Sequence, residues 1–311
     1  MCEDVFQRGK SEAAKVASKC VSGKGAGQPL EVALRRNFTS VLVKGANYLW
    51  RKFTDDVDRS LEIMWPPQRI ISLCPSITET LYSLGLSGQV VGRTRFCIHP
   101  QPDVKAAQNI GGTKQVDFER VARLSPDLLI AEKEENTREM VAALERNYPV
   151  YVANVTSVAS ALKLIRNLGD LTGRTEQAAA LADAAEAKFR SVSSAIARSM
   201  AYLIWQKPFM AVGANTYLDD LLMRFGFTNV FAGATERYPE ISLAELQRLR
   251  PEVVFLSSEP FPFGQRHQAT LQAELPDSRV VLVDGEISWY GSRMEWAVPY
   301  LGQVVATLAA V

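Results

Sequence analysis

Arg69-Ile70-Ile71-Ser72-Leu73-Cys74-Pro75-Ser76-Ile77-Thr78-Glu79-Thr80-Leu81-Tyr82-Ser83-Leu84-Gly85-Leu86 is the stretch on which the fold turns. Its first five residues form a short apolar run, the pattern of a strand buried on both faces of a parallel sheet. Pro75 ends that run, and Ser76-Ile77-Thr78-Glu79 reads as a capping box opening a helix. Downstream the same alternation returns, with strands at QVVGRT, DLLIA and VYVAN and helices at FERVARL and TREMVAALERN. Strands alternating with helices at this spacing predict an α/β fold with mainly parallel sheets flanked by helices.

Further on, a long helical stretch from Ser157 to about Ser199 is interrupted near Gly169–Gly173, and AYLIW then opens a new strand. The second half echoes the first. Glu79-Thr80-Leu81-Tyr82-Ser83-Leu84-Gly85 corresponds to Asp220-Leu221-Leu222-Met223-Arg224-Phe225-Gly226. FERVARL-Ser125-Pro126-Asp127 before one strand corresponds to LAELQRL-Arg250-Pro251-Glu252 before another. Two matches in one order predict two similar lobes, 67–156 and 200–311, joined through 157–199 by one long backbone helix. Open α/β lobes meet at the carboxyl ends of their strands, so a ligand cleft is expected between them. A single rigid connection predicts modest closure on binding.

Residues 1–66 look different and are expected to form an extension, partly helical or disordered, with one or two weak helices between Leu30 and Ile63. They read either as an accessory segment or as an extension upstream of a start at Met64.

The 311 residues are 47% apolar and 22% charged, with a formal net charge of +1, which gives no reason to expect a nucleic-acid partner. Cys2, Cys20, Cys74 and Cys97 have neither disulfide-scaffold nor metal-site spacing, so reduced thiols and no metal site are expected. The polar opening MCEDVFQRGK lacks the apolar core of an export signal, and no run is long enough to span a membrane. The chain as written therefore reads as cytoplasmic. It has no GxSxG, P-loop, GxGxxG or HExxH, and its two histidines, His99 and His267, fall in different lobes. A binder without catalytic residues is expected; a cleft enzyme using Glu132 or Glu259 as acid and base is the alternative.

Ligand contacts are expected in the loops after the strands: Phe96, His99, Glu132 and Glu134 in the first lobe, and Trp205, Tyr238, Glu259, Phe261, Trp289, Tyr290 and Arg293 in the second. Aromatic faces suit a broad, largely apolar ring system, and the charged groups suit its polar periphery.

RIISLCPSITETLYSLGL, VVGRTRFCIHP and IGGTKQVDFERVARLSPDLLIA, with YPEISLAELQRLRPEVVFLSS in the second half, are similar to the periplasmic-binding family for cobalamin and ferric siderophores. The resemblance runs from Arg69 to about Val305. It implies a monomer with a helical backbone between its lobes, capturing a corrinoid or an iron chelate without chemistry and delivering it to an ABC importer. A cytosolic carrier of the same ligands is the alternative. No covalently bound cofactor is implied. The family is usually periplasmic or surface-anchored. It also implies transporter docking through one glutamate per lobe: Glu119 matches in lobe one, whereas Ala244 holds the lobe-two position and Glu245 follows one residue late, about 100° round the helix. Phe96, Tyr238 and Trp289 lie at or near positions where cobalamin binders carry aromatic residues; Thr113 and Glu132 occupy two others.

Overall fold

The computed structural model describes residues 41–43, 46–192 and 197–310, and the chain divides into two units, Met1–Asn47 and Tyr48–Val311. In the first unit, Val41–Val43 is a strand, β1. The expected helices or disorder of residues 1–40 lie outside the described residues.

The expectation of helix up to Ile63 is corrected: β2 (Ala46–Thr54) and β3 (Ser60–Trp65) are strands, paired antiparallel from Leu49↔Trp65 to Thr54↔Ser60. Leu61, Ile63 and Trp65 alternate with Ser60, Glu62 and Met64, and the first three pack on the core, the period of a half-buried strand. The turn is tied down by Asp55, whose buried carboxylate accepts the backbone N–H of Val57, Arg59 and, from the neighbouring sheet, Val152. The first lobe thus extends back past residue 66 to include this hairpin.

β4 (Ile70–Ser72) lies at the centre of a five-stranded parallel sheet with β5 (Val90–Arg93), β6 (Gln108–Asn109), β7 (Leu128–Glu132) and β8 (Val150–Ala153), in the order β6-β5-β4-β7-β8. Every residue of β4, β7 and β8 is buried, which is why each is apolar apart from Ser72 and Glu132 at the ends of β4 and β7. Helix α1 (Pro75–Ser83) follows β4. The expected capping box is not formed: the helix starts on Pro75, with Cys74 as an extended N-cap that lends no side chain. Proline at the first helical position has no N–H to leave unsatisfied. α2 (Phe118–Leu124) and α3 (Arg138–Glu145) complete the connections.

The link between lobes also differs from expectation. It is a pair of helices, α4 (Val158–Thr172) and α5 (Thr175–Arg190), broken by Gly173 in the left-handed conformation at φ 73°. They run back along each other: Arg166 pairs with Asp183 at 2.7 Å, and any side chain on Gly169 would collide with Ala178. The Gly169–Gly173 interruption marks a reversal, and that close approach is what Gly169 permits.

β9 (Arg198–Trp205) is central to the second sheet, which also holds β10 (Phe209–Ala211), β11 (Phe227–Asn229), β12 (Glu240–Ile241), β13 (Val253–Ser257) and β14 (Arg279–Val283). β11 and β13 run parallel to β9 and β14 parallel to β13, whereas β10 pairs antiparallel with both β9 and β12. α6 (Tyr217–Arg224), α7 (Leu243–Leu249), α8 (Gln265–Glu274) and α9 (Met294–Ala309) flank it.

The internal echo has a physical counterpart. α2 ends on Ser125 and α7 on Arg250, both left-handed at φ 44° and 46°. After the proline that follows each, Asp127 accepts the N–H of Gln68 and Arg69 ahead of β4, and Glu252 accepts the N–H of Ser199 in β9. One acidic side chain per lobe thereby clamps the start of the central strand.

The inner faces of both sheets pack on the helix pair in one continuous core, running from Ile70, Ile77 and Leu81 through Leu164, Leu168 and Ala178 to Tyr202, Phe255 and Met294. The outer faces bury separate clusters, one around Ile71, Leu129 and Val121 and one around Leu203, Val254 and Leu246.

Candidate functional site

Parallel strands deliver their following loops to one end of a sheet, and here the loop ends of the two sheets touch each other. Arg293, in a short 3-10 turn ahead of α9, makes a bidentate pair with Glu79 of α1 at 2.9 and 3.0 Å. A third nitrogen meets Glu286 at 3.1 Å. Beside it His99 Nε2 lies 2.9 Å from Glu286, its ring edge-on to Trp289 at 5.6 Å. Ser292 N–H donates to the Thr80 hydroxyl, and Gly291, at φ 81°, lets the turn press against Thr80 with no room for a side chain. A second crossing joins Glu134 of lobe one to Arg237, and the Tyr238 hydroxyl donates to the same carboxylate at 2.9 Å.

The sequence-selected residues other than Glu132 and Glu259 fall into three groups. Phe96 is 46% exposed, with the Arg95 guanidinium 4.8 Å over its ring. Trp205 and Phe261 meet edge-to-face at 5.7 Å, and Phe261 rests on Phe263 and His267; these form an aromatic shelf at the loop end of β9 and β13. Trp289, Tyr290, His99, Glu134, Tyr238 and Arg293 make the cross-lobe contacts. Trp289 donates its indole N–H to Glu259 at 2.7 Å, and burial raises the Glu259 carboxyl pKa. Tyr290 is buried with its hydroxyl 3.4 Å from Cys74 Sγ and its ring against Tyr217, a place in the shared core. Burial pushes both the Tyr290 hydroxyl and the Cys74 thiol well up.

Glu132 is turned inward. Its carboxylate accepts the N–H of Glu134 and Glu135 at 2.7 and 2.9 Å, and Asn136 ties the loop to the carbonyls of Leu73 and Thr113. Burial is the main cause that raises its pKa to about 7. It shapes the loop that presents Glu134 rather than facing solvent.

Of the two docking candidates, Glu119 has a side chain 89% exposed. Glu245 is engaged at the start of α7, its carboxylate accepting the N–H and hydroxyl of Ser242 at 2.8 Å, and those bonds lower its pKa. Sequence reasoning missed Glu79 and Glu286; each is an ordinary surface glutamate by pattern, and its partner lies in the other lobe. No group of three or more potential metal ligands occurs among the described residues.

Residues 70–280 match the periplasmic binding protein family. The chain belongs to that family. A vitamin B12-binding protein of Vibrio campbellii is 26% identical over 201 residues, 62% of this chain and 71% of the relative. One from Pectobacterium atrosepticum is 24% identical over 253 residues, 78% and 90%. Among solved structures, the periplasmic vitamin B12 binding protein of Vibrio cholerae superposes with a TM-score of 0.67 at 22% identity, over 79% of this chain and 98% of its own. A periplasmic heme binding protein from Pseudomonas aeruginosa gives 0.67 at 24%, over 77% and 92%. An ABC-type Fe3+-hydroxamate transport protein from Saccharomonospora viridis gives 0.67 at 21%, over 83% and 98%. The vitamin B12 and heme relatives are named as binding proteins.

Family membership corrects the expectation of a cytoplasmic chain, since the family and the Vibrio cholerae and Pseudomonas aeruginosa structures are named as periplasmic. That expectation rested on the polarity of Met1–Lys10, which is no positive mark of a compartment.

Proposed function

We propose that this chain captures a corrinoid or an iron chelate between its lobes and passes it unchanged, as a monomer, to the permease of an ABC importer. The observation that carries this reading is the meeting of the two sheets' loop ends, with aromatic side chains from both lobes that keep some exposure: Phe96 on one side, Trp205 and Phe261 on the other. Flat rings of that kind match the faces of a corrin or porphyrin, and the relatives named for vitamin B12, heme and Fe3+-hydroxamate support the ligand class. Glu119 is the proposed docking carboxylate, with its freely exposed side chain; Glu245, spent on its own helix cap, is the weaker partner. Neither nucleic acid nor a covalent cofactor has a place in this reading.

The test is a thermal-melt screen of the purified chain against cobalamin, cobinamide, haem and a ferric hydroxamate. A binder gains stability with ligand concentration, about 2.7 kcal/mol at a hundredfold excess over Kd, and releases the ligand chemically unaltered. No shift with any of the four, or conversion of one of them, would defeat the proposal.

A further inference from the structure

Several carboxylates gather where the lobes meet, yet each has donors: Glu79 and Glu286 have Arg293, Glu259 has Trp289, Glu132 has the N–H groups of its own loop, and Glu134 has Arg237 and Tyr238. The unmet need is for an acceptor. Arg237 gives Nη1 to Glu134, while its Nε and Nη2 are buried with no hydrogen-bond partner among the described residues. Buried polar nitrogens are almost always paired in a finished structure. Nε and Nη2 form the edge of a guanidinium that takes a two-oxygen anion in parallel bonds.

We infer that Arg237 is the anion-recognising residue of the cleft, that Glu134 is an internal competitor for it across the lobes, and that the captured ligand carries a peripheral carboxylate which displaces Glu134. This rests on the ligand-capture reading above and narrows it to an anionic chelate. A change of side-chain partners at the rim withdraws Glu134, which belongs to the β7–α3 loop, from Arg237, which precedes β12. The full guanidinium then becomes available to an incoming carboxylate. The Tyr238 hydroxyl, now a donor to Glu134, is free to make a further bond to the same anion. Glu132 contributes indirectly, because its bonds to the N–H of Glu134 and Glu135 hold the competitor in reach.

The experiment compares calorimetric titrations of the full chain and of Arg237→Gln and Glu134→Gln with three probes: haem, which carries two carboxylates; haem dimethyl ester, which carries none; and cobalamin. The wild-type chain is expected to bind haem at least about tenfold more tightly than the ester. Arg237→Gln should abolish that preference. Glu134→Gln, with the internal competitor removed, should bind haem several-fold more tightly and the ester no differently. Equal binding of acid and ester by the wild type overturns the inference, as does an intact preference in Arg237→Gln or weakened haem binding in Glu134→Gln. Should Arg237→Gln not fold, the Glu134→Gln comparison decides alone. Binding of cobalamin with no binding of haem overturns this inference and leaves the capture reading standing. Failure of all three probes overturns this inference, and the capture reading then stands or falls on the cobinamide and ferric hydroxamate arms of the melt screen.

Discussion

Two ion-pair bridges cross between the lobes, and they differ in how completely their charges are satisfied. At the inner bridge Arg293, whose side chain is 13% exposed, spends all three nitrogens on Glu79 and Glu286 and packs against the rings of Trp289 and Trp296. At the outer bridge Arg237, 30% exposed, spends one nitrogen on Glu134 and leaves two without acceptors. The inner arrangement lies beside the helix pair and the turn pressed on Thr80, where a saturated network suits a fixed joint. The outer one can be exchanged for another anion at small loss, which suits a latch.

The comparison is open to direct attack. Arg293→Ala strands Glu79 and leaves Glu286 with His99 alone, both carboxylates being less than one-quarter exposed, and the expected loss is about 3 kcal/mol in chemical denaturation; a loss under about 1 kcal/mol would mean that the inner bridge is no joint. Glu132→Gln probes the loop that carries the latch. Because the folded state holds this proton up to about 7 while the unfolded chain releases it near 4.5, wild-type stability should fall as pH rises between those values. The fall is expected to reach about 3 kcal/mol, and the variant's profile should be flatter by that amount over the same window. Equal slopes would show that the carboxyl is not held neutral. His99→Gln, at a pair with Glu286 that is about one-quarter exposed, should cost roughly 1 kcal/mol, read as a melting shift of a few degrees. Glu134→Gln is expected to change stability by less than about 1 kcal/mol; a loss as large as that of Arg293→Ala would erase the distinction between joint and latch.

The parts of this architecture that are legible in the sequence are those whose burial is complete. Ile70-Ile71 and Leu128-Leu129-Ile130 announce strands because both faces of a parallel sheet exclude polar residues. The Leu124-Ser125-Pro126-Asp127 and Leu249-Arg250-Pro251-Glu252 echoes survive because each does a specific job, from the left-handed cap to the carboxylate clamp. β2 escaped notice because most of its outward residues are exposed, among them Leu49, Trp50 and Arg51, leaving little alternation to read. Candidate ligand residues could be placed on loops that follow strands, since loop position follows from topology, but the contacts those residues make could not. That Glu132 turns inward, that Tyr290 joins the core, and that Arg293 is consumed by Glu79 at a separation of 214 residues depend on how two lobes meet, which no local pattern encodes. Gly173 marked the interruption in the helical stretch, yet whether the chain bends or doubles back there depends on Gly169 fitting against Ala178.

The continuous core between the sheets has a bearing on how this molecule comes apart. Ile70, Leu168, Ala178 and Phe255 belong to a single packed body, so neither half has an inner wall of its own. Cutting the chain between α5 and β9 would leave each fragment with an apolar flank facing water, inclined to cling to whatever would cover it. Heating should accordingly give one calorimetric peak for the two halves, and the freedom to open must come from side chains at the rim trading partners while the middle holds.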